Sequence, residues 1–143
     1  MKKTIIAISL SFISFGLFAQ KKYMKDINET KELSKNIVSL FNDNKISESF
    51  DQLTLYWSIP QNEIESIEEK SIKYLNIIGQ RFGKSLGIIK IKNETISDIA
   101  IRETYLIRYD NHAIRLIFTY YKNNNGWVVN AFKWDDSFSK EFK

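Results

Sequence analysis

The sequence predicts an α+β fold, and three observations predict it. Apolar residues recur at helical spacing through the first half of the chain. Segments rich in Ile, Val, Tyr, Phe and Thr fill the second half. Turn residues separate those later segments from one another. Helices that precede strands, instead of alternating with them, point to N-terminal helices packed on a curved four-stranded antiparallel sheet. The chain of 143 residues has one Pro, five Gly, no internal repeat and no linker-like stretch, so one domain is expected.

The N-terminus reads as an export signal, residues 1–19. Lys2 and Lys3 form a basic start, an uncharged apolar run extends from Ile5 to Phe18, and small Ala19 stands at the expected cleavage position. The run is shorter than the roughly 20 residues needed for a stable membrane span. Residues 20–143 then form the mature domain, with a periplasmic or secreted location. Without the two leader lysines the formal charge of +4 is halved, and no nucleic-acid partner is expected. The chain has no cysteine, which excludes disulfides, thiolate metal sites and cysteine nucleophiles. An aromatic content of 14% leaves packing to stabilise the domain.

A first helix is expected over about Tyr23–Asn44, with Leu33, Ile37, Leu40 and Phe41 on one stripe. A second covers Ile46–Leu55, with Ile46, Phe50 and Leu53 inward. Ser58 and Gln61 have capping-box spacing, and Pro60 suits an early helical position. A third helix then runs to about Gln80, its stripe being Ile64, Ile67, Tyr74, Leu75 and Ile78, with Gly83 as its stop. Strands are expected over Ser85–Lys92, Asp98–Tyr109, His112–Lys122 and Trp127–Asp135. Asp110-Asn111 reads as a two-residue hairpin turn, and Asn123-Asn124-Asn125-Gly126 as a second hairpin, its Asn-Gly step suiting a type I′ turn.

The first hairpin predicts a register. If Tyr109 pairs with His112, then Tyr105 meets Leu116 and Glu103 meets Phe118. Ile101, Glu103, Tyr105, Ile107, Tyr109, His112, Ile114, Leu116, Phe118 and Tyr120 then share the face turned to the helices. Strict alternation adds Trp127, Val129, Ala131 and Lys133 to that face, and a β-bulge would reverse part of the assignment. On this register Glu103 and Lys133 flank Phe118 as an ion pair or as two walls of a pocket. The other face receives Arg115, Ile117, Phe132 and Trp134, with Arg115 against Trp134 as a cation–π pair. Such an aromatic and Arg surface has the composition of an interface core.

The stretch Asn125-Gly126-Trp127-Val128-Val129-Asn130-Ala131-Phe132 and the amphipathic first helix resemble the nuclear transport factor 2-like superfamily, which includes ketosteroid isomerase-like proteins. That resemblance implies a cystatin-like or nuclear transport factor 2-like cone over most of residues 23–135. A narrower pattern is similar to small exported bacterial proteins of unknown function. It is carried by Tyr56-Trp57, Pro60, Arg81-Phe82-Gly83-Lys84, Asn111-His112-Ala113 and Trp134-Asp135-Asp136.

Candidate site residues follow. Glu103 is a pocket carboxylate for acid/base work, with Tyr105 or Tyr120 as donor, an arrangement ketosteroid isomerase-like enzymes use. The competing reading is a structural Glu103–Lys133 ion pair. His112, the only histidine, is either a base oriented by Asp110 or a turn residue bonded to backbone. Arg81 and Lys84 either clamp an anion or favour a helix C-terminus. Trp57 lines the pocket or fills the core. Asp135 and Asp136 lack the ligand spacing of a calcium loop, so no metal and no cofactor are expected. The leading expectation is non-enzymatic binding of a small ligand or an envelope protein. The alternatives are an enzyme using Glu103, and a homodimer built on Arg115, Ile117, Phe132 and Trp134.

Overall fold

The computed structural model describes residues 21–143, and the expected leader, residues 1–19, lies outside them. Helix α1 spans Ile27–Asn42. It starts four residues later than its periodicity indicates, because Asp26 caps it: the carboxylate accepts from the Asn28 and Glu29 amides at 2.8 and 3.1 Å. Glu29 reaches back to the Lys25 amide at 2.7 Å and completes a reciprocal cap. Its buried stripe is Thr30, Leu33, Ser34, Ile37, Val38 and Phe41, with Val38 taking the place expected for Leu40. Asn44, at φ 58°, ends the helix in the left-handed region.

Helix α2, Ile46–Thr54, buries Ile46, Phe50 and Leu53 as its spacing requires. Helix α3, Gln61–Phe82, buries Ile64, Leu75, Ile78 and Phe82 and ends at Gly83. The capping box expected from Ser58 and Gln61 does not form. Pro60 occupies the N-cap with no side-chain cap bond, and its carbonyl accepts from the Glu63 and Ile64 amides instead. Tyr74, expected on the buried stripe, is 43% exposed.

The four strands are β1 (Ser85–Ile96), β2 (Ala100–Tyr109), β3 (Ala113–Asn123) and β4 (Gly126–Asp135), an antiparallel meander in the order β1-β2-β3-β4. The β2–β3 register is the expected one, with Glu103 opposite Phe118 and Tyr105 opposite Leu116. The second hairpin forms at the Asn run, but not as a type I′ turn. Asn124 and Asn125 keep negative φ, and the Asn123 side-chain oxygen accepts from the Asn125 and Gly126 amides.

One irregularity changes the sheet. Tyr120 pairs with Val129, but Thr119 pairs with Ala131, so Asn130 is an extra residue in β4. Beyond it the alternation inverts. Phe132 lies opposite Phe118 and Trp134 opposite Leu116, on the helix-facing side. Ala131 and Lys133 turn to the outer side. The strict-parity assignment of these four residues is thereby corrected. So is the proposed interface: Arg115 and Ile117 face outward while Phe132 is core, so the four residues share no face.

Phe132 sits among Phe41, Phe50, Trp57 and Phe118 at centroid distances of 5.1–6.3 Å, mostly edge-on. On the outer side Arg115 does not stack on Trp134. Its fork takes Asp135 through Nε at 3.1 Å and a terminal nitrogen at 2.7 Å, and its remaining nitrogen takes Glu141. Lys92 holds the other Glu141 oxygen. These pairs tie a 3-10 turn, Phe138–Glu141, onto the sheet. Beside Lys92 and Arg115 the Glu141 carboxyl is held below its ordinary value of 4.5. A lowered folded-state value means that the stabilisation is present above the unfolded value and is lost as pH falls through the folded one.

The first half of the exposed β4 edge is covered by the N-terminal segment. Met24 and Trp127 exchange backbone bonds of 2.9 and 2.8 Å, and the Val129 amide donates to Tyr56 at 3.0 Å. Gly126 makes this approach possible. At φ 138°, any Cβ there would lie 2.5 Å from the Met24 carbonyl. Gly126→Ala is therefore expected to lower stability by about 1–3 kcal/mol through backbone strain and loss of the strap, measured as a fall in urea midpoint. In thermal melts from pH 7 to pH 3, Glu141→Gln should flatten the acid-side loss of stability. Parallel wild-type and variant curves would mean that the Glu141 clamp does not link folding to pH.

Candidate functional site

Two regions carry polar chemistry against apolar walls. The first is the interior cluster that the β2–β3 register assembles. Glu103 is 0% exposed. Its partner is Lys90 of β1, and the expected pairing with Lys133 is corrected, since Lys133 faces outward beyond the bulge. Lys90 reaches inward because β1 has a register shift of its own between Lys90 and Lys92, which sets Lys90 opposite Tyr105. The ammonium also lies 5.7 Å from the Tyr105 ring centroid, within cation–π range.

The second Glu103 oxygen and the Tyr105 hydroxyl are buried without a hydrogen-bond partner. Tyr120 shares a 2.6 Å hydrogen bond with Ser34 of α1. Burial, with the Glu103 charge nearby, pushes the Tyr105 hydroxyl up to about 12. Burial drives Tyr120 further in the same direction. Both phenols stay neutral at physiological pH. Expected as one group, Glu103, Tyr105 and Tyr120 do converge, with the Glu103 side chain wholly buried. Acid/base catalysis needs a substrate proton within hydrogen-bond reach of the carboxylate, and here the carboxylate is wholly buried with one oxygen held by Lys90. The arrangement fits a buried charge balanced by one cation.

The remaining candidates are dispersed. His112 packs edge-on between Phe82 and Phe138 at 4.5 and 5.1 Å, and its Nε2 is 2.9 Å from the Asp136 carbonyl oxygen. Asp110 does not orient it. That carboxylate accepts from the Lys84 amide at 2.9 Å. Arg81 is exposed at the end of α3. Trp57 is buried beside Phe132.

The second region is a groove of about 740 Å3 between α3 and the second half of β4, open to solvent. Its volume lies in the range of small-molecule sites, roughly 300–1,000 Å3. Helical spacing puts Ile67, Lys70, Ser71, Tyr74 and Ile77 of α3 on its wall. The bulge supplies the other wall, Phe132 to Asp136. Trp134 is fixed there by a 2.8 Å bond from its indole nitrogen to Ser71 and by tilted packing on Tyr74 at 5.6 Å. Ile77 is 54% exposed. Lys133, on an edge strand, borders this groove from the outer side.

The groove's charges are unequal. Asp135 is neutralised by Arg115, and Asp136 has only a weak 3.3 Å contact from the Tyr74 hydroxyl. Lys70, Lys73 and Lys133 have no ion-pair partner among the described residues. The groove is not legible in the sequence, since helical spacing puts Tyr74 on a buried stripe and strict alternation puts Trp134 on the outer face. Among the described residues no three His, Cys, Asp or Glu side chains converge as a metal site, and no helix is long and apolar enough to cross a membrane.

Removing Lys90 tests the interior cluster. Lys90→Met should cost about 2–3 kcal/mol in urea unfolding, below the range for a wholly buried pair because the Lys90 side chain keeps 31% exposure. Adding Glu103→Gln should recover most of the loss, and Lys133→Met alone should cost almost nothing. Equal losses for Lys90→Met and Lys133→Met would rule out the pairing.

No family model, curated protein or solved structure matches this chain.

Proposed function

We propose that this chain is an exported, non-enzymatic binding domain that holds a small molecule with an apolar body in the groove between α3 and β4. The observation that carries this reading is the uncovered apolar floor. Tyr74 and Ile77 are exposed on a helix whose other apolar residues are buried or partly buried, and they stand beside a hydrogen-bonded, oriented Trp134. Large apolar side chains gathered in one concave surface favour a ligand over water. Export rests on the leader pattern of residues 1–19, and on this reading the domain works in the periplasm or outside the cell. The resemblance to nuclear transport factor 2-like proteins agrees with helices on a curved sheet, and that architecture serves binding modules as well as enzymes. Catalysis at Glu103 has less support, because its carboxylate is wholly buried and paired with Lys90.

Titration of the purified mature domain with N-phenyl-1-naphthylamine, an uncharged dye that brightens in apolar sites, checks the reading. Saturable binding with quenching of Trp134 emission is expected. Ile77→Asp, a change at an exposed position, should weaken it about tenfold or more without changing the unfolding midpoint. A wild-type domain that shows no saturable binding would sink the proposal.

A further inference from the structure

The groove's ligand class can be read from its charges. Lys70 and Lys73 stand one helical turn apart on the α3 wall, and Lys133 of β4 borders the groove from the outer side of the sheet edge. None of the three is paired among the described residues, whereas each of the other groove charges has a local contact. Asp135 would repel an anion, but the Arg115 fork holds it: burial raises the Asp135 carboxyl, and the hydrogen bonds from Arg115 and the Ser137 amide outweigh burial and keep it below the ordinary range. Asp136 alone opposes three cations. Lysine stems lie readily along apolar surface while the ammonium stays at the rim. The floor between them is Ile67, Tyr74, Ile77 and Trp134.

We infer that the groove takes a single-chain anionic amphiphile: an acyl or aryl body against that floor, with a carboxylate or phosphate head among Lys70, Lys73 and Lys133. This rests on the binding reading above and adds the head group. An ammonium is a compact point charge that suits either anion without demanding a planar, two-pronged partner. A neutral amphiphile leaves the three ammonium groups hydrated and gains only the floor. A cationic one meets repulsion as well.

The test compares ligands that share a ten-carbon chain and differ in the head: decanoate, decyl phosphate, decanol and decyltrimethylammonium, each below its aggregation concentration. Each competes with N-phenyl-1-naphthylamine on the mature domain. Either anion should displace the dye at least about tenfold more effectively than decanol, and the cation least of all. The advantage should shrink as salt is raised from 0.01 to 0.5 M, since the rim is solvent-exposed. The triple variant Lys70→Gln, Lys73→Gln, Lys133→Gln should bring both anions down to the level of decanol while dye affinity stays unchanged. Decanol competing as well as decanoate overturns the inference and leaves the groove intact as an apolar site. Loss of dye binding in the wild type defeats the underlying reading instead. Capture of the domain by phosphatidylglycerol vesicles, with no competition from monomeric decanoate, also overturns it, because the lysines then serve a membrane surface.

Discussion

One extra residue in β4 governs most of what is distinctive in this domain. Up to Val129 the strand sends odd-numbered side chains to the helices, and after Asn130 it sends even-numbered ones. That inversion moves Phe132 into the aromatic centre, where it touches rings from α1, α2, β3 and the loop after α2. It turns Trp134 towards α3 and Lys133 to the rim. Without the bulge, Lys133 would enter the interior beside Glu103, and the groove would lose its oriented indole. A bulge costs one unpaired backbone position. Here that cost accompanies a filled core and a partly buried aromatic wall in the same strand.

The interior and the groove use charge in opposite ways. Inside, a single carboxylate lies under Phe118 and Tyr105, with Lys90 entering from the edge strand. Such a pair adds little net stability, yet either half alone is costly. The β1 register that brings Lys90 inward is therefore tied to Glu103. In the groove, the lysines are solvated and unpaired, at little cost and with full reach. Only the second arrangement leaves charge available to a visitor.

Local pattern reveals much of this in the sequence. The β2–β3 register follows from a two-residue turn and period two, and that was enough to gather Glu103, Tyr105 and Tyr120. Helical stripes follow from spacing at Leu33, Ile37, Phe41, Ile46, Phe50 and Leu53. Failures arose where one residue breaks the count. Trp127, Val128 and Val129 are apolar on both parities, so a change of phase behind them is masked. The signal was nonetheless present: in Ala131-Phe132-Lys133-Trp134-Asp135 the large apolar residues are even-numbered, against the parity set by the hairpin. Lys90 was invisible for the same reason, a second shift in β1. Tyr74 was misplaced because periodicity says which side of a helix is apolar and not how far the sheet extends beneath it.

The Met24–Trp127 strap has a consequence for the order of events during synthesis. The two backbones that close the β4 edge are separated by about a hundred residues, among the longest separations a domain of this size permits. Chain leaves the ribosome from its N-terminus, so the strap emerges well before its partner. Until Gly126 and Trp127 appear, the segment around Met24 has nothing to pair with, and the aromatic centre lacks Phe132. The nascent chain can form helices early, but this seam closes only once all four strands have been made.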